Sequence, residues 1–171
     1  CNKLKTVKFP FDSELEIIKK KSFKRSSISE ISFPVHLKII CEKAFSDCSN
    51  LVKVEFASNC ELQKIELRAF LNTGIKSISI PQNLTTICKR AFDNCKMLQS
   101  VAIPKNSKLT NIEKYVFLGT KICSLFIPAH PTYFLKKAFA DCDHLGIIEI
   151  DEDSTLSSLK ILNSSIWLLK I

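Results

Sequence analysis

The chain has 171 residues, 46% of them hydrophobic and 25% charged, with a formal net charge of +8 and only three glycines and six prolines. This balance excludes a disordered or low-complexity chain and allows one substantial core. No apolar run approaches the ~18 residues of a membrane span, and the charge invites an anionic partner without naming one.

Taken in order, the chain is a succession of similar units. Strand-like apolar segments start at Leu4, Ile28, Leu51, Ile75, Leu98, Ile122 and Leu145, in steps that alternate between 24 and 23 residues. Each unit reads L-x-x-I-x-I-P, then L-x-x-I, then x-x-x-A-F. In one unit these positions are Ile75, Ile78, Ile80, Pro81, Leu84, Ile87, Ala91 and Phe92. The Phe position recurs as Phe23, Phe45, Phe70, Phe92, Phe117 and Phe139; Phe134 stands where Ile87 stands two units earlier. A unit of this length cannot bury its own apolar side, so units stack and like residues lie over one another in ladders. Parallel strands set the spacing of such ladders at ~4.8 Å.

The steps pair up. "AFSDCSNL", "AFDNCKML" and "AFADCDHL" begin 47 residues apart, so the full repeat is two units long. Odd units carry two extra residues after the strand (Ser13-Glu14, Cys60-Glu61, Ser107-Lys108, Ser154-Thr155) and are shorter after the Phe. The tail 160–171, "KILNSSIWLLKI", leaves the pattern and is a candidate cap. The opening "CNKLKTVKFP" lacks the hydrophobic segment of a signal peptide. It also starts without Met, which leads us to expect an excerpt of a longer protein, with 1–171 forming one solenoid domain.

The motif A-F-x-x-C-x-x-L-x-x-I-x-I-P, as in Ala91 to Pro104, resembles the leucine-rich repeats of BspA-like, treponemal-type surface proteins. Ala57 in place of Pro, and "YVF" in place of "KAF", depart from it. The resemblance implies an α/β leucine-rich-repeat solenoid of seven rungs, with one parallel sheet and short turns or helical segments on the other side. It also implies a binding module at the cell surface or outside the cell that mediates adhesion, and no enzyme.

The eight cysteines contain no CxxC pair. Cys1, Cys48, Cys95 and Cys142 are 47 residues apart, hence two rungs and near 10 Å from each other, beyond disulfide reach. Cys41 and Cys88 follow core isoleucines and should face away from that column. We expect free thiols filling the turns, a Cys41–Cys48 bridge being the alternative. His36, His130 and His144 sit at no metal-ligand spacing, and there is no glycine-rich phosphate loop or nucleophile elbow. Metal and cofactor are therefore expected to be absent.

Two surfaces carry the functional expectations. Two residues before each core Phe stand Lys21, Lys43, Arg68, Arg90, Tyr115 and Lys137, a basic stripe that is either a solvated face or a site for sulfated or sialylated glycans. Nucleic acid fits poorly, because stacking aromatics are not interleaved with it. On the concave face of the sheet, the outward positions are mostly small or charged, but Phe126 and Ile147 are apolar. Flanked by Ala102, Ser100 and Ser124, they are the expected anchor for a protein partner. A structural spacer is the remaining reading, and the sequons at Asn83 and Asn163 are compatible with an extracellular site.

Overall fold

The computed structural model describes residues 3–10, 12–128, 133–134, 137–152 and 168–170. Alternating apolar positions put the chain into short parallel strands on two faces. The wide face holds β1 (Thr6–Lys8), β3 (Glu30–Phe33), β5 (Lys53–Phe56), β7 (Ser77–Ser79), β9 (Ser100–Ala102), β11 (Ser124–Ile127), β13 (Ile147–Ile150) and β14 (Leu168–Lys170). The narrow face holds two-residue strands: β2 (Ile17–Ile18), β4 (Ile39–Ile40), β6 (Lys64–Ile65), β8 (Thr86–Ile87), β10 (Asn111–Ile112) and β12 (Tyr133–Phe134). The narrow strands form one continuous six-stranded parallel sheet.

The fold is thus a parallel β-solenoid of about six turns, and three details of the expectation are corrected. No helix occurs among the described residues; the side expected to carry turns or helical segments carries turns and the second sheet. The physical reason is at the corners. Lys21, Lys43, Arg68, Arg90 and Tyr115 have φ of 56–64°, and a second column (Arg25, Asp47, Asn72, Asn94, Gly119, Asp141) has φ of 55–67°. Two left-handed residues per turn prevent a right-handed helix from propagating. Instead, alternate amides in this turn donate along the solenoid axis: Arg68 N to Lys89 O, Phe70 N to Ala91 O and Asn72 N to Asp93 O, at 3.2, 2.8 and 2.9 Å. The rung count is the second: about six turns stand against the seven expected, and the place of the seventh unit's narrow strand lies outside the described residues.

The third concerns the sheet on the wide face. It is not one sheet but two, β1-β3-β5 and β7-β9-β11-β13-β14. The 23-residue steps give long registers, four pairs between β3 and β5 and four between β11 and β13. The 24-residue steps vary: three pairs between β1 and β3, two between β9 and β11, and no ladder between β5 and β7. At the broken joint Gly74 packs so closely on the preceding turn that a Cβ would stand 2.4 Å from the Ser49 carbonyl oxygen. In the tail, β14 returns to the wide face, pairing Ile147 with Leu168 in parallel.

The core is the set of inward columns. Ile28, Leu51, Ile75, Leu98 and Ile122 are fully buried, as are Ile40, Ile65, Ile87 and Ile112. Phe23, Phe45, Phe70, Phe92, Phe117 and Phe139 stack ring on ring at 5.0–5.7 Å, within 17° of parallel. The pairing of Ile112 with Phe134 confirms the register read for that residue.

Candidate functional site

Strand alternation fixes what the wide face presents. Val54, Ile78, Val101, Leu125 and Ile148 point inward and are buried, so their neighbours in each strand point out. Ser124 pairs with both Ser100 and Ile147, and Phe126 lies opposite Glu149. Ser79 pairs with Ala102 one strand further along. Ile147 is 37% exposed and Ala102 and Ser124 are exposed, while Phe126 is half-buried. The structure therefore brings Phe126, Ile147 and Ser124 together on one face, with Ala102 on the adjoining strand β9.

A second feature of this face escaped the sequence reading. A groove of about 700 Å³ opens at the break between β5 and β7, lined by Phe9, Phe33, Phe56, Pro34, Ala57 and Pro81 among others. Its polar lining includes Ser32, Glu55 and Gln82. The only trace in the sequence is Ala57, which interrupts the proline column, and Gly74 at the tightened turn.

The flank carries the basic row. Lys21 and Lys137 are exposed; Lys43, Arg68 and Arg90 are half-buried. Lys20 and Lys43 both reach Glu42, at 2.6 and 2.9 Å, and hydrogen bonds from the two ammonium groups push the Glu42 carboxyl down to about 2. Arg90 Nε lies 3.7 Å from the Asp93 carboxylate, which burial raises above the usual range against the pull of Arg90 and then Arg68. The Tyr115 ring has the Arg90 guanidinium 5.5 Å and the Lys137 ammonium 5.9 Å from its centre.

The cysteines are free among the described residues. The thiols of Cys48, Cys95 and Cys142 donate to the carbonyls of Phe23, Phe70 and Phe117 at 2.9, 3.1 and 2.9 Å. Each thiol also meets a hydroxyl from the preceding turn: Ser26 at 3.4 Å, Thr73 at 3.2 Å and Thr120 at 3.3 Å. Cys41 and Cys88 are half-buried. Of the histidines, His36 lies 3.3 Å from Glu61 and His144 is exposed; His130 lies outside the described residues. No group of three metal-ligating side chains occurs among the described residues.

The two-turn period, the phenylalanine stack and the cysteine turns find their match in the family model for the BspA type leucine rich repeat region, which fits residues 1–98 and 63–168 with six copies. This chain belongs to that family. Among solved structures, the BspA-type fold here is similar to the leucine-rich repeat protein of T. pallidum, TpLRR, at 21% identity and a TM-score of 0.70, covering 87% of this chain and 73% of that one. It is similar to the pneumococcal vaccine antigen PcpA at 19% identity and a TM-score of 0.65, covering 90% of this chain. A leucine-rich cell surface protein from Faecalibacterium prausnitzii gives 22% identity and a TM-score of 0.61, covering 91% of this chain. The BspA-type chain spans 38% of PcpA and 49% of the Faecalibacterium protein. No curated protein matches it.

Proposed function

We propose that this chain is the non-enzymatic binding module of a surface or secreted protein, holding a protein partner on the outer face of its wide sheet and so mediating adhesion. The observation that carries the reading is the apolar break at Phe126 and Ile147 on a face otherwise built mostly of small or charged side chains. Ser100, Ala102 and Ser124 let a partner approach the backbone closely. An apolar anchor within a polar rim is the arrangement from which interface hot spots are made. The family and its fold support the reading, because repeat solenoids present extended binding surfaces. A neighbour of the same fold described as a cell surface protein supports the location.

The test is a binding assay with immobilised cell-surface and matrix protein extract, followed by kinetics on the purified partner. Phe126→Ala should raise the off-rate tenfold or more, equivalent to about 1.4 kcal/mol or more, at both low and high salt. Binding that survives Phe126→Ala and Ile147→Ser unchanged would remove this face from the site.

A further inference from the structure

The basic flank offers something different from the wide sheet. Its cations stand on successive turns in a straight row, near the ~4.8 Å pitch of parallel strands. Toward the early turns the row is met by acids: Glu42 takes Lys20 and Lys43, and Asp47 lies 4.0 and 3.9 Å from Lys24 and Arg25. In the middle the arrangement changes. Arg68 and Arg90 occupy adjacent turns and face one carboxylate, Asp93, which is 8% exposed. The Nε atoms of both guanidinium groups are buried and meet no hydrogen-bond acceptor. Arg90 thus faces Asp93 at a distance too long for a hydrogen bond, Arg68 acts on the same acid only through its charge, and the Nε donor of each is unfilled. Arg90 is held against Tyr115, with Lys137 at the same ring. Lys89 and Lys114 stand exposed one residue earlier in their turns, with no ion pair among the described residues. Glu113 is engaged by the Lys89 backbone amide at 2.8 Å, and Glu66 by that of Glu42 at 3.0 Å.

We propose that Arg68 and Arg90, with Lys89, Lys114 and Lys137 around them, form a binding site for a linear sulfated polysaccharide lying along the solenoid axis. The guanidinium fork matches a sulfate oxygen pair. A row of cations one turn apart suits a chain with closely spaced anionic groups, denser than carboxylates on alternate sugars supply. The site offers no open aromatic platform for bases, because cations crowd the Tyr115 ring, so single-stranded nucleic acid is disfavoured. Asp93 acts as an internal competitor that holds the two arginines in place while the site is empty. This site is separate from the proposed protein-binding face and stands or falls independently of it.

The experiment measures heparin binding to the purified chain at low salt, with hyaluronan and single-stranded DNA of similar length as comparison probes. Heparin should bind and weaken steeply as salt rises, with both other probes at least tenfold weaker. Arg68→Gln/Arg90→Gln should lower heparin affinity tenfold or more, and Lys89→Gln/Lys114→Gln, at exposed side chains, should lower it severalfold. Lys105→Gln/Lys108→Gln removes the same charge from the turn after β9 and should stay within twofold. Asp93→Asn should tighten binding about threefold by freeing both guanidiniums. Equal losses in the flank and control variants would reduce the effect to net charge and overturn the site. So would unchanged or weaker binding in Asp93→Asn, no binding of heparin at low salt, or hyaluronan or DNA binding as tightly as heparin. Retention of heparin binding in Phe126→Ala separates this site from the protein-binding face.

Discussion

At the scale of single residues, the thiol column explains why the repeat is doubled. A sulfhydryl at Cys48, Cys95 or Cys142 donates to a Phe carbonyl and accepts or donates toward a Ser or Thr hydroxyl on the turn before. Thiol and hydroxyl are the two halves of one contact, so they alternate, and each recurs at 47 residues. Burial also makes these thiols unreactive: the Cys95 thiol is pushed up to about 11, and those of Cys48 and Cys142 are raised for the same first cause. Thiolate is the nucleophile, so the alkylation order follows from exposure. With iodoacetamide at pH 8 on the native protein, exposed Cys123 should be modified first and Cys95 last, read by peptide mass spectrometry. Denaturation without reductant should release all eight thiols at similar rates. Native labelling of Cys95 as fast as Cys123 would show that the turn interior is open to solvent. The cysteine spacing was readable in the sequence, but the hydroxyl partners were not, because Ser26, Thr73 and Thr120 look like ordinary turn residues until the turns are stacked.

At the scale of elements, the solenoid is a stack of two-turn units, and its weak points are the joints between them. Within a unit the 23-residue step aligns strands over three or four residue pairs. Between units the pairing varies: β1 and β3 keep three pairs, β9 and β11 two, and at β5/β7 the ladder is lost altogether. Gly74 allows that joint to close, since any side chain there meets the backbone of Ser49. Gly74→Ala should therefore destabilise the protein by about 1–3 kcal/mol or more, as overpacking of a rigid contact does. Gly119→Ala should act differently: its φ of +67° carries backbone strain, but no atom lies within 4 Å of the new Cβ. Thermal melts of the two variants distinguish a clash from strain; equal and negligible losses would mean that the joint is loose. The wide strands and the core columns were legible in the sequence because a period repeated seven times outweighs any local ambiguity. The narrow sheet was not, because L-x-x-I leaves two residues per strand, too few for an alternation to register. The break at β5/β7 is not encoded in the apolar pattern, which runs unchanged from Val54 to Ile78. The groove that opens there was hidden for the same reason.

At the scale of the whole molecule, stability is a sum over turns and their interfaces. This makes the two-turn unit the natural quantum of length. Excising residues 51–97 joins Asn50 to Leu98, which occupies the place of Leu51, and keeps every thiol facing a hydroxyl. Excising 51–74 instead removes Thr73 and brings Cys95 against Cys48 on neighbouring turns. The longer deletion should melt cooperatively within a few degrees of the parent, and the shorter one should melt lower and broader despite retaining more residues. Equal melting of the two, by circular dichroism, would show that the alternation has no energetic content. The candidate binding residues were legible only as departures: Phe126 and Ile147 stood out because every other outward position followed the rule. The distribution of acids along the basic row was not, since Glu42 and Asp93 occupy different places in their turns and converge on it only in three dimensions.

The corners of the solenoid carry an asymmetry with a thermodynamic meaning. In the second left-handed column, Arg25 apart, the chain places Asp47, Asn72, Asn94, Gly119 and Asp141, residue types that enter this region of backbone space readily. In the first it places Lys21, Lys43, Arg68, Arg90 and Tyr115, which do not. Each such residue costs about 1–2 kcal/mol relative to glycine in the same conformation. A chain shaped only for folding would put Gly or Asn in both columns. The cationic row is therefore held against the conformational preference of its own backbone, and its charge is a property the fold sustains rather than one it needs.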